Sequence, residues 1–123
     1  MPRVIHFDIS ADNPDRAVKF YSSVFGWKIE KWAGPVEYWL VTTGPADQPG
    51  IDGGIGKRSA TSPAGTINTV DVPSLEEFTA KVAKKGGKVL MPRMAIPGVG
   101  YHAMCQDTEG NVFGLMQPDP AAK

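Results

Sequence analysis

Hydrophobic and polar positions alternate at the start of the chain. In VIHFDI, residues 4–9, Ile5, Phe7 and Ile9 fall on one side and His6 and Asp8 on the other. A period of two predicts a strand with one apolar face. Ala17, Phe20, Tyr21 and Val24 then recur at helical spacing, which predicts a helix with one apolar stripe. Asp12 or Asn13 can cap it, Pro14 suits its first turn, and Gly26 supplies a left-handed stop. WKIEKW (27–32) and EYWLVTT (37–43) predict two more strands, and DGGIGKR (52–58) a weaker fourth.

The second half repeats this order. TINTVDV (66–72) predicts a strand. Ser74 and Glu77 form a capping box, Leu75, Phe78 and Val82 an apolar helical face, and Gly86-Gly87 a stop. KVLMPRM, YHAMCQD and NVFGLMQ predict three further strands, the last two joined by the turn TEGN (108–111). The chain therefore reads as an α+β fold of two βαβββ modules, about 1–58 and 66–123, with the turn-prone segment 59–65 between them. Matching Asp8-Ile9 to Asp71-Val72 sets the repeat at 63 residues, whereas Gly26 to Gly87 gives 61 and Gly54 to Gly114 gives 60. On the first of these offsets the counterpart of His6 is Thr69. Each module has one helix to cover one sheet face, so the opposite faces are expected to form a ligand-binding concavity.

Composition narrows the function class. Thirteen basic and thirteen acidic residues cancel, so no basic field invites nucleic acid. No apolar run approaches the ~20 residues of a membrane span, and MPRVIHFDIS lacks a signal-like apolar core. With one cysteine, Cys105, there is no internal disulfide, which fits a reducing, cytoplasmic setting. The expected location of this single domain is the cytoplasm.

HFDISADNPDRAVKFYSSVFGW, the GGI at 53–55, KKGGKV at the end of the second helix and the closing DTEGNVFGLMQ together resemble the vicinal oxygen chelate superfamily, which includes glyoxalase I, bleomycin-resistance proteins and extradiol dioxygenases. The resemblance implies paired βαβββ modules around a U-shaped cavity, and a homodimer. It also implies, in the metalloenzymes, a divalent cation held by one side chain from the first and one from the last strand of each module. His6 occupies such a first-strand position. Thr69, Gly54 and Gly114 stand at the other three, where two glycines offer no donor. One histidine and one threonine do not hold a divalent ion against water, so no cofactor is expected. A metal would need another set drawn from His6, Asp8, Asp71 and His102.

The expected ligand contacts are His6, Asp8, Trp39, Thr69, Met104 and Met116, a mixture suited to a small, largely apolar organic molecule. Between Tyr38 and Trp39 the parity does not decide which faces the cavity. His102 suits packing better than catalysis. Asp8 and Asp71 read either as a symmetric carboxylate pair or as turn-bonding residues, and Cys105 as a small buried apolar residue. Two classes stay open. One is a non-catalytic binder of the bleomycin-resistance kind. The other is an enzyme: a metal-dependent lyase, isomerase or dioxygenase, or a metal-free acid–base catalyst using His6 and Asp8.

Overall fold

The structure, a computed structural model, describes residues 2–59 and 65–123. The expected linker at 59–65 falls mostly outside the described residues. Eight strands and two helices follow the order β1 (Arg3–Ala11), α1 (Pro14–Phe25), β2 (Lys28–Lys31), β3 (Tyr38–Thr42), β4 (Asp52–Lys57), β5 (Thr66–Asp71), α2 (Leu75–Lys84), β6 (Lys88–Ile96), β7 (Gly100–Gln106) and β8 (Val112–Pro118). This is βαβββ written twice. The chain divides into two units, His6–Thr66 and Ile67–Lys123 with Met1–Ile5.

In the first unit the strand order is β2-β3-β4-β1. β1 and β4 run parallel, with Asp8 beside Gly54 and Ile9 beside Ile55, and the β2–β3 and β3–β4 pairs are antiparallel. Asn13 caps α1 by accepting a hydrogen bond from the Arg16 amide at 3.1 Å, and Gly26 ends the helix at φ 72°. Ala11, Trp39, Val41 and Ile55 form the buried core with Phe7, Ile9, Ala17, Val18, Tyr21, Trp27 and Ile29 packed against them. The stripe of α1 is thus rotated from its expected phase: Val18 packs inward, while Phe20 and Val24 are exposed. Pro14 is buried, and positions 14, 17, 18 and 21 share a helical face, so the seating of the first turn sets the rotation. At the far end of β1, Arg58 ties the strands together by donating to the Ser10 carbonyl at 3.1 Å and pairing with Asp12 at 3.0 Å.

In the second unit the order is β5-β8-β7-β6. β5 runs parallel to β8, with Thr69 beside Gly114 and Asp71 beside Met116. Ser74 caps α2 by accepting from the Glu77 amide at 3.2 Å, as the capping box predicts. Val72, Leu75, Ala103, Cys105 and Leu115 are buried, with Val70, Phe78, Val82, Tyr101 and Phe113 around them. Cys105 is fully buried, and burial pushes its thiol pKa up. Asp107 closes the last hairpin by accepting from the Glu109 and Asn111 amides at 2.8 and 2.9 Å. The edge strand β6 is broken by two register shifts and leaves Val89, Leu90, Met91 and Met94 exposed.

The helix caps and the sheet registers fix the internal repeat. Asn13 and Ser74 cap the two helices 61 residues apart. Asp8 lies beside Gly54 just as Thr69 lies beside Gly114. Thr69 is therefore the counterpart of Asp8, Ile67 that of His6, and Asp71 that of Ser10. The 63-residue offset taken from the Asp-aliphatic match is two residues too long. A two-residue slip preserves strand parity, so it moves positions along the face without turning them over.

Candidate functional site

β1 turns Phe7, Ile9 and Ala11 into the core beneath α1, so His6 and Asp8 project from the opposite face of the first sheet. Two strands away, β3 resolves the open parity. Trp39 packs in the core with Val41 and Ile55, with the Lys31 ammonium 5.6 Å from its ring centroid. Trp39 is therefore not on the face that carries His6, and Tyr38 is. The phenol of Tyr38 donates a hydrogen bond to Asp8 Oδ1 and lies 2.7 Å from His6 Nε2.

A tyrosine can reach from β3 to β1 only if β4, the strand between them, keeps its side chains out of the way. A β-carbon at Gly54 would overlap the Tyr38 hydroxyl, and one at Gly56 would lie 3.6 Å from the ring. On the other face a β-carbon at Gly53 would overlap the Phe7 ring. The run GGIG is thus a pair of ring seats, Gly53 under Phe7 and Gly54 with Gly56 under Tyr38, while Ile55 is fully buried. Bare glycines on this strand thus let two rings approach its backbone closely. Trp32, which the sequence reading left out of the site, packs edge-on to Tyr38 with ring centroids 6.1 Å apart. Its indole lies where a β-carbon at Gly34 would be. Tyr38 in turn stacks on His6 at 6.4 Å and 24°, so Trp32, Tyr38 and His6 make an aromatic row that ends at a carboxylate.

Proton counting orients the row. Burial, then the Asp8 charge, then the hydrogen bond to Asp8 hold the Tyr38 pKa far above the ordinary phenol value. Tyr38 therefore stays protonated, and its single proton goes to Asp8. Toward His6 the phenol has only lone pairs to offer, so His6 Nε2 must be the donor. The chain runs from His6 Nε2–H to Tyr38 O–H to Asp8. No described hydrogen bond reaches His6 Nδ1, which is an acceptor in the neutral ring. His6 and Asp8 are one-third exposed, at 32% and 34%, with Nε2 and Oδ1 3.6 Å apart.

The second unit carries a related arrangement. Tyr101, Ala103, Cys105, Phe113 and Leu115 pack toward α2, so alternation places Thr69, His102, Met104, Gly114 and Met116 on the opposite sheet face. Thr69 is buried. A β-carbon at Gly114 would lie 2.8 Å from His102 Nε2 and 2.9 Å from Thr69 Oγ1. Met104 lies beside Gly114, and Met116 beside His102. Three of the expected contacts, Thr69, Met104 and Met116, thus share a face with His102. Asp71 sits farther along, on a cavity of about 300 Å³ lined also by Val72, Pro73, Gln117 and Pro118.

Comparison with known proteins now decides the family. Residues 3–115 match the model described as Glyoxalase/Bleomycin resistance protein/Dioxygenase superfamily. The chain belongs to this superfamily. A glyoxylase-like domain-containing protein of Didymella fabae is 31% identical over 112 residues, covering 88% of each chain. The longer CFP32 protein of Mycobacterium bovis is 28% identical over 116 residues, which are 92% of this chain and 43% of that protein. The fold resembles that of methylmalonyl-CoA epimerase from Mycobacterium tuberculosis at a TM-score of 0.71 and 12% identity, covering 95% of this chain and 88% of that one.

The residues here do not fit the divalent cation of the superfamily's metalloenzymes. In the first unit His6 Nε2 and Asp8 Oδ1 are both engaged by Tyr38, and Gly54 contributes nothing. In the second, Ile67 is the counterpart of His6 and offers no donor, and Gly114 beside Thr69 has no side chain. Among the described residues no group of three or more His, Cys, Asp or Glu side chains is placed to hold a metal ion. Also among them, no helix is long and apolar enough to cross a membrane.

Proposed function

We propose that this superfamily member binds a small, largely apolar organic molecule that carries an oxygen-bearing group to His6. The observation that supports this most directly is the oriented chain His6–Tyr38–Asp8 at the end of an aromatic row. Its hydrogen bonds satisfy Nε2, the phenol and Oδ1, leaving Nδ1 of a part-exposed imidazole for a hydroxyl donor. Trp32 and Tyr38 offer apolar surface, where burial contributes roughly 25 cal/mol per Å² as an upper bound, and the polar end sets orientation.

The test is calorimetric. A panel of substituted phenols is titrated alongside analogues lacking the hydroxyl, first against the native chain and then against His6→Ala. The substitution should cost a bound phenol about 1–3 kcal/mol and leave the oxygen-free analogue nearly unchanged. Equal losses for both members of a pair, or none for either, would show that the imidazole does not meet the ligand. The same chain favours a second reading, proton transfer on the bound molecule, since an imidazole that gains a proton at Nδ1 lies within reach of the Asp8 charge. Conversion of a bound molecule to product, lost in His6→Ala, would distinguish that enzyme from a binder.

We also propose that the chain forms a homodimer. Support comes from the apolar side chains that β6 leaves exposed, Val89, Leu90, Met91 and Met94, since a cluster of this kind marks surface that association covers. Sedimentation at micromolar concentration should give twice the 13.2 kDa mass of one chain; a single species of chain mass would refute it.

A further inference from the structure

In the first unit one side chain covers both candidate metal donors, His6 and Asp8. We infer that Tyr38 is the residue that closes the first unit to divalent cations, because its phenol stands where a side chain from position 54 would stand and occupies both neighbouring donors. Three observations converge. A β-carbon at Gly54 would overlap the Tyr38 hydroxyl, so the phenol and a side chain at 54 exclude one another. That hydroxyl takes His6 Nε2 at 2.7 Å and Asp8 Oδ1, so a group in its place would lie against both. Gly54 is the direct neighbour of Asp8 in the parallel β1–β4 register, so a carboxylate there would complete a set of one imidazole and two carboxylates on one sheet face.

Such a set is within the range that holds zinc or manganese, whereas a protonated phenol is not a ligand for either. Tyr38 in this position is therefore accommodated only with glycine at 54. The ring that excludes the cation is also the ring that orients His6. The geometry that matters lies at His6, Asp8, Tyr38 and Gly54 and does not depend on the identity of any organic ligand.

Equilibrium dialysis of the full chain against zinc and against manganese tests it, on the native protein, Tyr38→Phe and the pair Tyr38→Ala with Gly54→Glu. The pair should bind zinc at least about tenfold more tightly than the native chain, and adding His6→Ala should abolish the gain. Tyr38→Phe keeps the ring but frees Nε2 and Oδ1, so it should gain a few-fold. Circular dichroism and a thermal melt establish the fold of each variant. A folded pair with no gain, or a native chain that binds zinc as tightly as the pair, overturns the inference. Should the pair fail to fold, Tyr38→Phe decides alone, and the absence of any gain there overturns it.

Discussion

Two places in this molecule are built on one plan. In the first unit the ring of Tyr38 lies over Gly54 beside Asp8; in the second, His102 lies over Gly114 beside Thr69. In both, a residue of the third strand of the module crosses a glycine of the fourth toward a polar residue of the first. The chemistry differs. The first ends on a carboxylate and carries a chain of three polar groups, whereas the second has a neutral hydroxyl at the same point. The fit differs too: a β-carbon at 54 would overlap the phenol, while one at 114 would stand 2.8 Å from the tip of a histidine. The duplicated fold thus supplies a slot, a ring seated on glycine, and the identity of three residues decides whether that slot carries charge.

The largest test of this contrast is to fill the slots. Gly54→Ala forces Tyr38 off its seat and breaks both of its hydrogen bonds, so it should cost about 2–3 kcal/mol. Gly114→Ala presses on the tip of His102, which can give way, and on Thr69 Oγ1 at 2.9 Å, and should cost less, about 1 kcal/mol. Urea denaturation of the two variants measures the difference, and equal costs would break the comparison.

A smaller effect separates the units in alkali. The folded pKa of Tyr38 is raised above its ordinary value of 10.0. The unfolded state therefore loses this proton first as pH rises, and stability falls wherever the native state holds more protons than the unfolded one. The contribution is fully present below about pH 10 and declines as pH rises above it toward the folded pKa. Tyr38→Phe should flatten the decline of thermal stability between about pH 10 and 11, whereas His102→Gln should leave it in place. Identical slopes in native protein and Tyr38→Phe would contradict the buried, carboxylate-bound phenol.

Much of this was legible from local pattern. The alternation of Ile5, Phe7 and Ile9 against His6 and Asp8 gives the correct face of β1, and the capping signals at Asp12-Asn13 and at Ser74 mark both helix starts, with Asn13 the cap of the first. What stayed hidden depended on neighbours in space. Tyr38 and Trp39 are adjacent aromatics, so alternation alone cannot choose between them; the choice is made by the Ile55 side chain on one face and the bare Gly54 and Gly56 on the other. The repeat of Asp8-Ile9 in Asp71-Val72 suggested an equivalence that the β5–β8 register does not support, because two acidic residues at different depths along a strand look alike in one dimension. The overlooked signal was GGIG itself. Two glycines spaced by two on one strand face, with a tyrosine on the adjoining strand, indicate a ring laid across the sheet.

Cys105 has a consequence for how the protein can be studied. It is the chain's single cysteine and is fully buried, with its thiol further from ionisation than a free one, and only the thiolate is nucleophilic. Alkylating dyes should therefore pass over the folded native chain. A cysteine introduced at exposed Leu40, two residues along β3 from Tyr38, would then be the one reactive handle on the molecule. A solvent-sensitive fluorophore placed there would report occupancy of the aromatic row without any change to the residues that form it.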